Sequence, residues 1–166
     1  MIRADQLARE ALDPDSPIVT ELVEHFGQDI APGGVVDRQK LADVVFHDAD
    51  ARGYLESLVH PEVARRARLA RTLAGNDANV VYDVPLLVEK HLEDQFDLVV
   101  VVEAPESIRL ARLELRGVAH DDARARMASQ ATDAQRREVA DFVIDNSGDW
   151  AQLAFDATTV WNDITA

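Results

Sequence analysis

Four acidic residues stand just after short apolar stretches, where a carboxylate could accept a proton or bind a ligand. They are Asp5, Asp83, Glu103 and Asp145. In open parallel sheets ligands bind at the carboxyl ends of the strands, so residues that follow strands are candidates for a functional site. An acidic residue in such a place can instead cap the next helix, and the sequence leaves both interpretations open.

Arginine supplies nearly all of the positive charge. The chain has 17 basic residues, and its two lysines are Lys40 and Lys90. A guanidinium can grip a phosphate at two points, which favours a phosphate-bearing ligand. Arginines recur along the predicted helices of the second half: Arg109, Arg112, Arg116, Arg124, Arg126, Arg136 and Arg137. A solvated helix face, or the codon bias of a GC-rich genome, would also account for them.

Several other common sites are excluded by the sequence. The chain has no cysteine and no Gly-x-Ser-x-Gly motif, which excludes a Cys nucleophile, a thiolate metal site and a nucleophile elbow of that type. The five histidines show no metal-ligand spacing. His60, directly before Pro61, has the most distinctive context of the five, and capping or packing explains it as well as function does.

Length and charge limit the class of protein. A chain of 166 residues predicts one domain, and 47% apolar residues suffice for a packed core. The formal charge of -14 argues against a nucleic-acid-binding protein. The apolar runs are too short to span a bilayer, and the N-terminus has no hydrophobic signal sequence. We therefore expect a cytoplasmic protein that binds neither nucleic acid nor a membrane.

Strand signals alternate with helical patterns, which predicts an α/β domain with a parallel sheet. The strongest signal is the continuous apolar run at 98–102, typical of a strand covered on both faces. Further runs predict strands at 80–84 and 142–144. Helices are predicted at 5–11, 16–26, 37–45, a segment ending at His60, 61–73, 87–94, 105–116, 121–130, 132–140 and 149–162.

Eight short segments form an ordered set along the chain. They are 4–10 (ADQLARE), 26–27 (FG), 36–38 (VDR), 45–46 (VF), 58–61 (LVHP), 83–89 (DVPLLVE), 124–130 (RARMASQ) and 140–146 (ADFVIDN). Together they resemble the dephospho-CoA kinase family over Met1 to about Trp161. That family uses ATP and Mg²⁺ to phosphorylate the 3′-hydroxyl of dephospho-CoA, the last step of coenzyme A biosynthesis.

The resemblance implies a fold and a set of site residues. The fold is a P-loop kinase-like parallel sheet, with CoA-side helices at 6–75, a core at 79–104 and 141–166, and a helical lid at 105–140. Asp5 would orient or deprotonate the 3′-hydroxyl, and Arg112 and Arg116 would neutralise the transferred phosphate. Asp83 would hold Mg²⁺ through water. The dephospho-CoA pocket would be shaped by Arg9, Arg38, His60, Pro85, Leu86 and Leu87.

Two departures from the family bear on activity. The phosphate-binding motif Gly-x-x-x-x-Gly-Lys-Ser/Thr does not occur in the chain, and Arg3 stands where the family usually has the first Asp of Asp-x-Asp. We therefore expect a sheet that lacks its first, central strand and a chain that is inactive as given. Met1 falls where the family tends to have Val, which a GTG codon read as the start would explain. An in-frame Gly-rich loop in the DNA before codon 1 would support this explanation, and a stop codon would reject it.

Two other expectations follow from those departures. The chain could be a non-catalytic module that binds dephospho-CoA or a protein partner, and a purely structural acidic protein is a third reading. Without a central strand, the segments 80–84 and 98–102 should pair directly, leave a gap, or associate through their exposed edges, with marginal stability.

Overall fold

In the computed structural model, which describes all 166 residues, the chain forms two units, Met1–Pro85 and Leu86–Ala166. The first contains strand β1 (Ile2–Arg3), helices α1 (Ala4–Glu10), α2 (Pro17–Phe26), α3 (Arg38–His47) and α4 (Ala49–Ala74), and strand β2 (Tyr82–Asp83). The 3₁₀ turns Gln28–Ile30 and Pro32–Gly34 connect α2 to α3. Its core surrounds the fully buried Leu22 and includes Ala11, Ile18, Val19, Ile30, Ala31, Val36 and Leu41.

A side-chain cap marks the start of α3, whereas α2 begins without one. Asp37 accepts hydrogen bonds from the backbone N–H groups of Gln39 and Lys40, both at 3.1 Å, and so starts α3. Ser16 occupies the N-cap of α2, but its side chain makes no capping hydrogen bond. The Val19 N–H that it would bind donates instead to the Ser16 carbonyl oxygen at 3.1 Å.

Helix α4 differs from the prediction of two helices that meet at His60 and Pro61. It runs without interruption from Ala49 to Ala74, with Pro61 inside it. A proline removes one helical donor and leaves the carbonyl four residues earlier unbonded. That carbonyl belongs to Ser57, and both Ser57 and Pro61 are exposed, so water can bond the carbonyl and the helix continues.

The second unit contains the remaining strands and helices. These are β3 (Val100–Glu103), α5 (Glu106–Leu115), α6 (His120–Ala128), α7 (Asp133–Glu138), β4 (Phe142–Asp145) and α8 (Trp150–Thr165), with a 3₁₀ turn at Glu93–Gln95. The three helices predicted for 105–140 are present, each within about two residues of the expected bounds. None of the helices in either unit has both the length and the apolar character that a membrane span requires.

The helix predicted at 87–94 does not form. The Lys90 N–H bonds the Leu86 carbonyl for one turn, and His91 then adopts a left-handed conformation with φ 50°. The N–H groups of Leu92 and His91 donate to the carbonyls of Leu87 and Val88 at 3.1 and 3.2 Å. This is the Schellman pattern that ends helices, and here it stops the helix after one turn.

Each unit contains one two-stranded parallel sheet. In the first, Ile2 lies opposite Tyr82 and Arg3 opposite Asp83. In the second, β3 and β4 are in register from Val100 opposite Phe142 to Glu103 opposite Asp145. The parallel pairing is confirmed. The predicted segments 80–84 and 98–102 contribute to different sheets, so direct pairing between them is wrong, while the absence of a central strand stays a prediction.

Strand β3 is hydrogen-bonded to a neighbouring strand along one edge only. Its side chains Val100 and Val102 are 39% and 56% exposed, although a continuous apolar strand is typical of a covered position. An apolar strand edge of this kind promotes pairing between chains.

We predict that the 166-residue chain self-associates through this edge and that Val102→Lys weakens the association, because a charged residue on an edge strand opposes pairing. Sedimentation velocity over a range of concentrations measures it. Val35→Lys is the matched control, since Val35 is also 56% exposed but lies outside the strands. Equal behaviour of the two variants would contradict the prediction.

Candidate functional site

The carboxyl ends of β1 and β2 bring together three charged residues that are distant in sequence. Parallel register places Arg3 opposite Asp83, so their side chains leave the sheet on the same face. Helix α1 begins at Ala4, directly after Arg3, and carries Asp5 in its first turn. The candidate catalytic Asp5 is therefore held at the end of a parallel sheet, where ligands of such sheets bind.

Arg3 lies between the two carboxylates. Its Nη2 is 3.6 Å from Asp5 Oδ2, and its Nε is 3.9 Å from Asp83 Oδ2. The other Asp5 oxygen, Oδ1, accepts the backbone N–H of Gln6 at 2.8 Å. All three side chains are between 40% and 54% exposed, so solutes can reach them.

The residues present do not fit a direct Mg²⁺ site. The chain contains no group of three or more His, Asp or Glu side chains that could hold a metal ion. Mg²⁺ prefers octahedral oxygen ligands. The acidic pair at this site, Asp5 and Asp83, already has Arg3 between its members. The assignment of Asp83 as a water-mediated Mg²⁺ ligand stays a prediction.

Helix α1 is tied to α4 by an ion-pair cluster. Glu62 accepts hydrogen bonds from Arg65 and Arg66, each with a contact of 2.7 Å, and Arg66 also lies 3.7 Å from Glu10 of α1. The Glu62 side chain is 11% exposed. The Arg65 hydrogen bond, followed by that of Arg66, lowers the pKa of Glu62 from 4.5 to about 2, against the opposing effect of burial. This cluster holds the helix on which Asp5 lies.

The predicted substrate residues of the first unit are partly connected. Arg38 Nη2 donates to the Arg9 carbonyl oxygen at 3.1 Å and lies 3.8 Å from Asp13. The Arg9 and His60 side chains are exposed and make no hydrogen bond or ion pair. Arg9 and Arg38 are thus neighbours, whereas no hydrogen bond or ion pair joins His60 to them. Pro85 is the last residue of this unit.

In the second unit, Leu86 and Leu87 belong to the single helical turn before His91. Glu89, which follows them, accepts the backbone N–H of Ala131 at 2.7 Å and lies 3.7 Å from Arg136. No local sequence pattern predicts this role of Glu89, because its partner Ala131 lies 42 residues away. The hydrogen bond that Glu89 accepts from Ala131 connects this turn to the segment before α7.

The arginines of the second unit divide into paired and unpaired side chains. Arg109 donates to Asp133 at 3.1 Å, and Arg137 makes a bidentate ion pair with Glu103 at 2.6–3.0 Å. The Glu103 hydrogen bond raises the pKa of Arg137. Arg112 and Arg116, at the end of α5, form no side-chain hydrogen bond or ion pair. The two predicted catalytic residues are therefore free to bind an anion, as is Arg126, whose side chain also makes no hydrogen bond or ion pair.

Arg112 and Arg116 line neither of two cavities of this unit. One, of about 310 Å³, opens at the carboxyl ends of β3 and β4 and is lined by Glu103, Ala104, Pro105, Asp133, Arg137, Val143 and Asp145. The other, of about 380 Å³, is lined chiefly by α5 and α6 with the segment leading into α7. The sequence predicts that Glu103 and Asp145 follow their strands; in the structure they are the last residues of β3 and β4, and both line one cavity.

Comparison with known proteins defines the family. The family model described as dephospho-CoA kinase matches residues 1–152.

The chain belongs to the dephospho-CoA kinase family.

Relatives named dephospho-CoA kinase match nearly the whole chain. The Streptomyces avermitilis protein is 46% identical over 99% of the chain and 81% of its own length, and the Frankia casuarinae protein is 44% identical over 100% and 73%. The Mycobacterium tuberculosis protein is 48% identical over 98% of the chain but only 40% of its own length. Much of that relative therefore lies outside the match.

Solved structures support the fold. A crystal structure from Thermus thermophilus matches with a TM-score of 0.76 and 30% identity, covering 99% of this chain and 84% of the other. A dephospho-CoA kinase from Campylobacter jejuni matches with a TM-score of 0.72 and 24% identity, covering 98% and 83%. The chain shares the α/β architecture of the dephospho-CoA kinase family.

We predict that Glu62→Gln destabilises the first unit by about 1 kcal/mol at pH 7, the usual worth of a hydrogen bond in a protein. The folded-state pKa is depressed, so the contribution is present above pH 4.5 and is lost as the pH falls towards 2. Urea unfolding measured at several pH values follows this change.

Glu21→Gln is the control, because Glu21 is exposed on α2 and makes no hydrogen bond or ion pair. A stability difference between the Glu62→Gln variant and the unchanged chain that is as large at pH 2.5 as at pH 7 would contradict the assignment.

Proposed function

We propose that this chain is a dephospho-CoA kinase, whose reaction transfers the γ-phosphoryl group of ATP to the 3′-hydroxyl of dephospho-CoA. Family membership over residues 1–152 supports the reaction. The observation that carries the proposal is the position of Asp5. It lies at the carboxyl end of a parallel β1–β2 pair and remains partly exposed, where an acceptor for a substrate hydroxyl is expected.

Asp5 is the proposed proton acceptor or orienting group. A carboxylate can accept a hydrogen bond from the substrate hydroxyl and direct its oxygen towards the phosphorus atom. This is the role of the aspartate that serves as catalytic base in phosphoryl transfer. One of its oxygens is fixed by the Gln6 N–H, so the carboxylate has a defined orientation. The proposal assigns no direct Mg²⁺ ligand among the 166 residues and keeps Asp83 as a contact with Mg²⁺ through water.

Arg112 and Arg116 are the proposed phosphate ligands. Negative charge spreads over the transferred phosphoryl oxygens in the transition state, and arginine stabilises it without a proton transfer. Both side chains lack an intramolecular partner, so binding a phosphate breaks no existing ion pair. The paired residues Arg109 and Arg137 would have to lose Asp133 and Glu103 first.

Dephospho-CoA recognition is assigned to the residues that the family resemblance implies. We assign contacts with its phosphate groups to Arg9 and Arg38, and contacts with its remaining parts to His60, Pro85, Leu86 and Leu87. The close approach of Arg38 to the Arg9 carbonyl supports a shared role for these two arginines. The proposal also assigns the helices at 6–75 to the dephospho-CoA side and the segment 105–140 to a lid. It treats the 166 residues as a single functional domain.

The alternative function is a module that binds dephospho-CoA without turnover. It is favoured by one observation: the motif Gly-x-x-x-x-Gly-Lys-Ser/Thr, which cradles the phosphates of ATP, does not occur among the 166 residues. On this alternative, the 166 residues bind dephospho-CoA but do not catalyse transfer. Turnover by the purified chain that Asp5→Asn abolishes would contradict this alternative.

We predict that Arg9→Ala weakens the binding of dephospho-CoA to the 166-residue chain by about fivefold or more, the effect of losing about 1 kcal/mol from a charge-assisted phosphate contact. Isothermal titration calorimetry measures it. The fold should be unaffected, because the Arg9 side chain has no intramolecular partner.

Arg52→Ala is the matched control: Arg52 is likewise exposed and unpaired, in the first turn of α4. The proposal predicts normal binding by this variant. Failure of the unchanged chain to bind dephospho-CoA, or equal losses in the two variants, would overturn the assignment of Arg9.

A further inference from the structure

Arg3 stands where two carboxylates from different elements converge at the carboxyl ends of β1 and β2. Asp5 reaches it from α1, and Asp83 reaches it from the end of β2. The guanidinium contacts one oxygen of each, at 3.6 and 3.9 Å. It leaves one of the two negative charges uncompensated.

A divalent cation would need the same place. Two carboxylates and water form the kind of oxygen ligand set that Mg²⁺ and Mn²⁺ accept. A fixed positive charge about 4 Å from each carboxylate repels such an ion and competes for the same oxygens. The cluster is polar, solvent-accessible and acidic, yet its centre is cationic.

We propose that Arg3 is a positioning residue that takes the place of a divalent cation between Asp5 and Asp83. It holds the Asp5 carboxylate by an ion pair and prevents this pair of carboxylates from binding a metal ion. Asp5 Oδ2 faces Arg3 while Oδ1 is held by the Gln6 N–H, so the orientation of the carboxylate does not depend on a metal.

The importance of this inference for catalysis rests on the proposed function, because Asp5 is the proposed acceptor of the substrate hydroxyl. Its test is independent of that function. Metal binding is measured on the 166-residue chain without dephospho-CoA or ATP, so a failed substrate proposal leaves the result interpretable.

The test is a titration of the chain with Mn²⁺, followed by electron paramagnetic resonance of the free ion. Arg3→Asp converts the cluster into three carboxylates, and we expect it to bind Mn²⁺ about tenfold or more tightly than the unchanged chain, because a repulsive charge becomes attractive at ~4 Å. Adding Asp83→Asn to this variant should remove most of the gain.

Arg52→Asp makes the same change of net charge at an exposed, unpaired site of this unit, and it should leave Mn²⁺ binding unchanged. Arg3→Gln should give a smaller gain than Arg3→Asp, and it decides the question if circular dichroism shows that Arg3→Asp does not fold. The inference is overturned if the unchanged chain already binds Mn²⁺ as tightly as Arg3→Asp. It is also overturned if Arg52→Asp gains as much, or if neither Arg3 variant gains.

Discussion

The parallel pairing of β1 with β2 is the constraint on which the candidate site depends. It joins residues about 80 positions apart through a two-residue ladder and the Ile2 N–H, which donates to the Val81 carbonyl oxygen at 2.7 Å. Ile2 is buried while Arg3 is exposed, as the alternation of a strand requires. This register puts Arg3 beside Asp83 and starts α1 with Asp5 at the same place. A shift of one residue would turn Arg3 to the opposite face.

Such a short ladder is stabilised mainly by what surrounds it. Two-stranded pairs are marginal on their own, so α1 must be held by packing and ion pairs. The Glu62–Arg66–Glu10 cluster fixes it to α4. The buried residues around Leu22 fix the remaining helices of the first unit. The position of the catalytic candidate therefore depends on a cluster that lies outside the site.

Local patterns in the sequence predict much of the fold and less of the site. The apolar runs at 98–102 and 142–144 identify β3 and β4 because β-branched apolar residues favour strands, although Val100, Val102 and Val143 are exposed. Asp37 starts α3 as its type and position predict. Pro61 predicts a helix end that does not occur, since Ser57 and Pro61 are exposed and water can bond the carbonyl that the proline leaves free. The helix predicted at 87–94 does not form because His91 adopts a left-handed conformation. The apolar periodicity does not predict this conformation.

A site residue can be predicted from the sequence where it belongs to a motif. It cannot be predicted where its role depends on contacts with residues that are distant in the sequence. Asp5 follows from the ordered segments, but the placement of Arg3 between Asp5 and Asp83 requires the strand register. The ion pairs that separate Arg109 and Arg137 from the unpaired Arg112 and Arg116 join residues 24 and 34 positions apart. No periodicity connects such residues, so the sequence alone cannot tell a paired arginine from a free one.

A crystal structure of the 166-residue chain with dephospho-CoA bound tests the central claim most directly, because that claim concerns one distance. The account predicts that a carboxylate oxygen of Asp5 lies about 2.6–3.2 Å from the 3′-hydroxyl oxygen of the ribose. Dephospho-CoA bound with its ribose away from Asp5, and with another side chain on the 3′-hydroxyl, would contradict the account.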